Sequence, residues 1–359
     1  MDGEFYKGVT FYRPDIINDI RVEVQKSNTR LKKHGLSPVI FTEKDKTQLF
    51  VLRKARDWMA REHNNPQPRK LLGDLWTEGE LCILFADTNL GKSILAVQIG
   101  NSLTTDQSVG PFANQLPALT PVLYIDFELG AKQFQSRYTD NLHGNFAFGE
   151  SFHRAEFNPF ANNPALFDNY NDQLIASLET AINKSKAKVL IIDNLTYMRN
   201  GTERAKDALP LMKQLKALKT KHKLSVLCLA HTPKRNNAKP ITVNDLQGSK
   251  MIINFCDSAF AIGQSFTTPG GRYIKQIKQR SNSQVYGSDN VCLCHIVKEM
   301  NDLRFEFDGF AHEADHLQQP RDRNQLKQQA IELQQQGHSY RQISQQLNIG
   351  LATVNRFLA

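Results

Sequence analysis

Leu81-Cys82-Ile83-Leu84-Phe85-Ala86-Asp87-Thr88-Asn89-Leu90-Gly91-Lys92-Ser93-Ile94 decides how this chain is read. An apolar run passes into a polar loop and ends in Gly-Lys-Ser, where a helical pattern begins and continues to Leu103. Strand, loop and helix in that order make an anion cradle, because backbone N–H groups and the positive helix N-terminus face one point. Lys92 is placed to reach the β and γ oxygens of a nucleotide, and the Ser93 hydroxyl to ligate Mg²⁺. Ala86 to Ile94 is therefore the candidate nucleotide-binding stretch. Ala86 stands where the Walker A pattern has its first Gly, which is tolerable if φ there is negative.

Outward from this loop, runs rich in Val, Ile and Leu recur at Leu81–Phe85, Val122–Ile125, Val189–Ile192 and Val226–Ala230, with helical patterns between them. Nearly continuous apolar strands separated by helices predict an α/β core with a mainly parallel sheet covered on both faces. Later strands are expected at Tyr273–Ile277, Val291–Val297 and Leu303–Phe307. Ligands of such sheets bind beyond the carboxyl ends of the strands, where three polar residues stand. Asp193 ends the third run, as a carboxylate supporting Mg²⁺ does; strands also end in Asp for turn reasons alone. Glu128 lies just past Val122-Leu123-Tyr124-Ile125-Asp126, placed either to deprotonate a water or to face solvent. His231 follows the fourth run, as a γ-phosphate contact or as a structural histidine.

Composition narrows the class. The chain has 359 residues, 40% hydrophobic and 23% charged, which suits two or three globular domains. Collagen-like and wholly disordered chains are excluded. No run reaches the ~18 apolar residues of a membrane span. The start, MDGEFYKGVTFYRPD, has no apolar core and does not read as a signal peptide. Five cysteines, an odd number without disulfide-scaffold spacing, point to a reducing cytoplasm. Cys292 and Cys294 are expected on one face of a strand, because no second Cys/His pair completes a zinc site. The net charge of +9 favours polyanionic partners.

The organisation expected is an N-terminal segment at 1–70, a core at 71–310, a polar linker at 311–323 and a small helical unit at 324–359. Thr47 to Glu62 reads as an amphipathic helix ended by Asn64-Asn65-Pro66. Its segment suits a packing arm between subunits or a small cap. In the tail, helices are expected from Asn324 to Gln336, from Tyr340 to about Leu347, and from Leu351 to Leu358. Ser339 and Gln342 have capping-box form. Ser344 is small enough for a helix crossing, Asn348 accepts a left-handed turn, and Val354 is spaced as an apolar anchor. This tail resembles helix-turn-helix modules of the resolvase or homeodomain type. The resemblance implies duplex DNA binding, with Ala352, Thr353, Asn355 and Arg356 facing the major groove. A three-helix module that binds protein is the alternative.

Phosphate loop, Glu128, Asp193 and His231 together resemble the RecA-like P-loop ATPases, most closely the hexameric RepA helicase-like branch related to DnaB and KaiC. The resemblance covers about residues 71–308. It implies ATP and Mg²⁺ as ligands, Glu128 as catalytic base, Asp193 as the metal-supporting aspartate and His231 as γ-phosphate sensor. It also implies a ring, expected to be a hexamer, in which Lys278 and Arg280 of Lys278-Gln279-Arg280 reach the neighbour's active site. Loops at 197–204 and 234–247 would grip single-stranded DNA, the second with Lys234, Arg235 and Lys239. A GTPase fits less well, since Asn183-Lys184-Ser185-Lys186 lacks the Asp of a base-reading motif. The expectation is a cytoplasmic, Mg²⁺-dependent DNA helicase or translocase with no membrane partner. An ATP-switched DNA-binding regulator without unwinding activity is the second reading, and a KaiC-like signalling ATPase the third.

Overall fold

The computed structural model describes residues 50–158, 160–161, 170–197, 205–246, 249–281, 283–318, 323–347 and 349–358. The chain divides into two units, Met1–Gln67 and Pro68–Ala359. In the first unit, α1 (Ala55–Glu62) buries no side chain, and Phe50 and Leu52 are exposed. The helix expected from Thr47 is thus shorter at its front: residues 50–54 are not helical, and 47–49 lie outside the described residues. A helix without a packed face has only its own weak propensity, and Lys54 gives its N-terminus no side-chain cap.

The second unit opens with a small antiparallel pair, β1 (Lys70–Leu72) and β2 (Trp76–Thr77). Then come β3 (Leu81–Ala86), α2 (Lys92–Thr105), β4 (Val122–Asp126), α3 (Ala131–Arg137), and the two-residue strands β5 (Thr139–Asp140) and β6 (Gly144–Asn145). They are followed by β7 (Phe152–Glu156), α4 (Tyr170–Ser185), β8 (Val189–Asp193), α5 (Ala205–His222) and β9 (Ser225–His231). A 3₁₀ turn at Val243–Asp245 and α6 (Ser249–Phe255) lead into β10 (Ser258–Gln264), β11 (Arg272–Lys278), β12 (Val291–Glu299) and β13 (Asp302–Ala311). The chain ends with α7 (Glu313–His316), α8 (Arg323–Gln335), α9 (Tyr340–Gln346) and α10 (Leu351–Leu358).

Among the described residues the main sheet has nine strands in the order β13-β12-β11-β10-β3-β9-β8-β4-β7. From β10 to β7 neighbours are parallel, and β11, β12 and β13 add an antiparallel flank. This is the expected α/β architecture. Strand alternation divides the apolar residues between two faces. Ile83, Phe85, Leu190 and Cys228 face a core with Leu178 of α4 and Leu215 of α5. Leu84, Tyr124, Ile191 and Leu229 face the other, with Leu95 and Ile99 of α2. Cys292 and Cys294 join the second core as a same-face pair. No group of three or more metal-ligating side chains occurs among the described residues, and no described helix is long and apolar enough to cross a membrane.

Two strands of the main sheet, β7 and β10, escape the sequence reading, as do the short strands β1, β2, β5 and β6. Residues 311–318 also correct it. Ala311 ends β13, and α7 follows with Glu313 fully buried. This part of the expected linker is built into the core, held by an ion pair with β11. The three last helices share their own small core of Ala330, Ile343, Val354 and Phe357.

Candidate active site

Parallel pairing brings the carboxyl ends of β3, β4, β8 and β9 to one edge. Register does the rest: Ala86 lies beside His231, and Asp126 beside Asp193. Ala86 is the last residue of its strand and is absent from the residues with positive φ, so its Cβ meets no conformational penalty there. Gly91 cannot be replaced so easily. It caps α2 at φ +92°, and a Cβ there would lie 2.5 Å from Ile296 and 3.0 Å from Phe305.

Lys92 is buried and donates to the carbonyls of Ala86 and Asp87, both at 3.1 Å. Burial lowers its ammonium from the usual lysine range, against the pull of Asp193, Glu128 and Asp87. Its Nζ lies 3.2 Å from His231 Nδ1. An ammonium has only hydrogens to give, so Nδ1 is the acceptor in that contact. His231 Nε2 faces Glu128 Oε1 at 3.5 Å and the Asn194 amide nitrogen at 3.1 Å. Hydrogen bonding to His231 holds the Glu128 carboxyl below its usual range, against its partial burial.

Asp193 is almost wholly buried. Tyr124 donates its hydroxyl to Oδ2 at 2.6 Å, and the nearby Ser93 hydroxyl favours the ionised form of the same carboxyl. Burial nevertheless pushes the carboxyl up to about 6. Its other oxygen, Oδ1, is buried without a partner. A buried orphan oxygen beside the phosphate-loop serine is the vacancy in bonding that a hard cation satisfies. Ser93 and Asp193 therefore fit Mg²⁺.

Several contributors are missing from the sequence reading. Asn194 is buried and donates to Glu128 Oε1. Asp126 Oδ1 accepts from the N–H groups of Glu128 and Leu129 at 3.0 and 2.9 Å, which shapes the turn presenting Glu128. Arg154 of β7 pairs with Asp126 Oδ2 at 2.9 Å and donates to the Leu129 carbonyl. Thr232 donates its N–H to the Ala86 carbonyl and its hydroxyl to Asp87. Arg272 holds the Leu90 carbonyl at 3.0 Å. Adjacency to Asp193 and to His231 was the available signal for Asn194 and Thr232; Arg154 and Arg272 meet the site only through strand order.

The structure thus gathers Lys92, Ser93, Glu128, Asp193 and His231. Lys278 and Arg280 stand elsewhere. β11 runs against β10, so Lys278 pairs with Ala259, whereas Ile274 lies beside Ile262 and hence Ala86. Lys278 is four residues of strand from the level of the phosphate loop, roughly 13 Å. It donates to the carbonyls of Ile253 and Cys256, and Arg280 to the Asn254 carbonyl and Asp257. Lys234 and Lys239 are exposed. Arg235 departs from expectation: its side chain is 7% exposed and turned inward to Asn237, the Lys239 carbonyl and Asp245. Of the loop at 197–204 only Tyr197 is described; it stacks on Phe127. On α10, Asn355 and Arg356 are exposed and Thr353 half-buried, opposite Val354 and Phe357. Ser339 caps α9 with Gln342 as the capping box requires. Asn348 lies outside the described residues.

The sequence profile of the AAA domain family matches residues 50–237, just over half of the chain. The chain belongs to the AAA domain family. The AAA domain assignment makes it a P-loop protein of the nucleotide-dependent ATPase class. Among solved structures it is similar to a KaiC-like protein of the hyperthermophilic archaeon Pyrococcus horikoshii OT3, at 11% identity and a TM-score of 0.47, over 67% of this chain and 100% of that one. No curated protein matches it.

Proposed function

We propose that this chain is a Mg²⁺-dependent, ring-forming ATPase that acts on DNA, with its last three helices serving as a helix-turn-helix that recruits it to duplex. One observation carries the ATPase part: a lysine, a serine, two carboxylates and a histidine from four strand ends converge within hydrogen-bond reach of one phosphate cradle. Lys92 exchanges the carbonyls of Ala86 and Asp87 for β and γ oxygens. Glu128, ionised near neutral pH, takes a proton from water as its oxygen attacks the γ-phosphorus and the bond to the β-phosphate oxygen breaks. Ser93 and Asp193 would hold Mg²⁺, which would supply neutralisation of charge on the phosphate oxygens. His231, between Lys92 and Glu128, is placed to register loss of the γ-phosphate.

The ring is supported by Lys278 and Arg280. They lie at the amino ends of the strands, away from their own subunit's phosphate loop. A γ-phosphate contact from them is therefore one made in trans, at a heterologous interface that closes into a ring. The DNA reading is supported by the exposed Asn355 and Arg356 on a helix whose other face is packed, and by exposed Lys234 and Lys239. The helicase-like reading is tested by steady-state ATP hydrolysis at low salt without DNA, with single strands and with duplex. Strong stimulation by single strands supports a motor. Slow turnover indifferent to DNA, with operator-specific binding by the tail, replaces the motor with an ATP-switched regulator.

A further inference from the structure

Residues 312–318 form a strap with an unusual fastening. Glu313 is fully buried and Lys275 nearly so. Glu313 Oε1 accepts from the Ile241 N–H at 2.8 Å and the Tyr273 hydroxyl at 3.1 Å. Its Oε2 pairs with Lys275 Nζ at 2.5 Å, and the same Nζ donates to the Ile241 carbonyl at 2.7 Å. One buried ion pair thus grips both backbone groups of one loop residue. Beside it, the Gln318 N–H donates to the Asn237 carbonyl, and the Phe266 N–H to the His316 carbonyl, both at 3.0 Å. Arg235 braces the same loop from inside through Asn237 and the Lys239 carbonyl.

The loop's other end is tied just as directly. Thr232 is bonded to Ala86 and Asp87 of the phosphate loop. The stretch 232–241 is therefore fastened at its root to the nucleotide cradle and at its far end to the strap. Seating a strap does not need charge: well-packed apolar residues often replace a buried ion pair without loss of stability. What the pair supplies is register, since only a paired donor and acceptor can hold both the N–H and the C=O of Ile241.

We propose that Glu313 and Lys275 are positioning residues that couple the phosphate loop to the strap at 312–318, through Ile241 and the 232–241 loop. The inference deepens the ATPase reading and rests on it. Coupling of this kind is reciprocal: nucleotide must be felt at the strap as much as the seating of the strap is felt at the nucleotide.

The test is amide hydrogen exchange on the full chain, with and without Mg²⁺ and a non-hydrolysable ATP analogue. The variants are Lys275→Met combined with Glu313→Leu, and Glu313→Gln alone, which keeps an acceptor for the Ile241 N–H. Nucleotide is expected to slow exchange at 312–318 at least about fivefold in the wild type, the low end of usual coupling. The double variant loses that response at 312–318 and keeps protection at 87–93; Glu313→Gln retains part of it. Nucleotide binding with an indifferent strap, or an undiminished response in both variants, overturns the proposal alone. A wild type that binds no nucleotide overturns the ATPase reading and the proposal with it.

Discussion

At the carboxyl ends of β3, β4, β8 and β9, Lys92, Glu128, Asp193 and His231 face one another and leave Asp193 Oδ1 unmatched. At the amino ends of the same strands the charges are tied down. Asp257 accepts from the Leu81 N–H and from Lys219, and Lys278 and Arg280 are anchored on α6 carbonyls and Asp257. Both edges carry cations and carboxylates, so residue type does not distinguish them. Among the charged groups named, unmet bonding capacity does. A polar group buried without its full set of partners is costly, and such a group persists where a ligand completes it. The amino-end cations have partners already and must exchange them to reach a neighbour.

The largest effects should come from the carboxyl edge. Lys92→Ala is expected to abolish hydrolysis in a phosphate-release assay. Glu128→Gln should keep nucleotide affinity while kcat falls by about 10²–10⁴, the usual worth of a general base; normal turnover in that variant removes Glu128 as the base. Arg154→Ala blurs the contrast by leaving the buried Asp126 carboxylate unpaired. A loss of about 3–5 kcal/mol is expected in urea unfolding, and a marginal change would mean the pair does not hold the Glu128 turn.

Next come the loop cations. Lys234→Ala and Lys239→Ala should each lower the salt slope of single-strand binding by about 0.7, without changing stability. Arg235→Ala should instead destabilise the protein, because its guanidinium is buried against the loop. Equal slopes for all three variants would contradict its inward placement. The smallest effect belongs to Asp257. Burial pushes its carboxyl up, but the Leu81 N–H and Lys219 hold it below the usual range. Its stabilisation is complete above the carboxylate value of the unfolded chain and is lost as pH falls through the lower folded value. The stability gap between wild type and Asp257→Asn should accordingly shrink on acidification.

Much of the carboxyl edge was legible because its chemistry is local. The loop from Ala86 to Ser93 is contiguous, and Asp193, Glu128 and His231 each close an apolar run. What escaped depends on strand order. Arg154 reaches Asp126 only because β7 is the parallel neighbour of β4, and Arg272 reaches Leu90 only because an antiparallel flank folds back beside β3. β10, Ser-Ala-Phe-Ala-Ile-Gly-Gln, carries small residues and a glycine that mute the strand pattern. Residues 311–318 read as a linker because glutamate and histidine are seldom buried unless paired; Glu313 is buried because Lys275, 38 residues away, neutralises it.

The most direct test of the account is complementation between two inactive proteins, Lys92→Ala and Lys278→Ala/Arg280→Ala. If the two edges meet across a subunit interface, each protein alone is inactive, and an equimolar, re-equilibrated mixture recovers about a quarter of wild-type ATP turnover, because one interface in four pairs an intact loop with intact fingers. No recovery in mixed assemblies, or full activity of Lys278→Ala/Arg280→Ala alone, would contradict it.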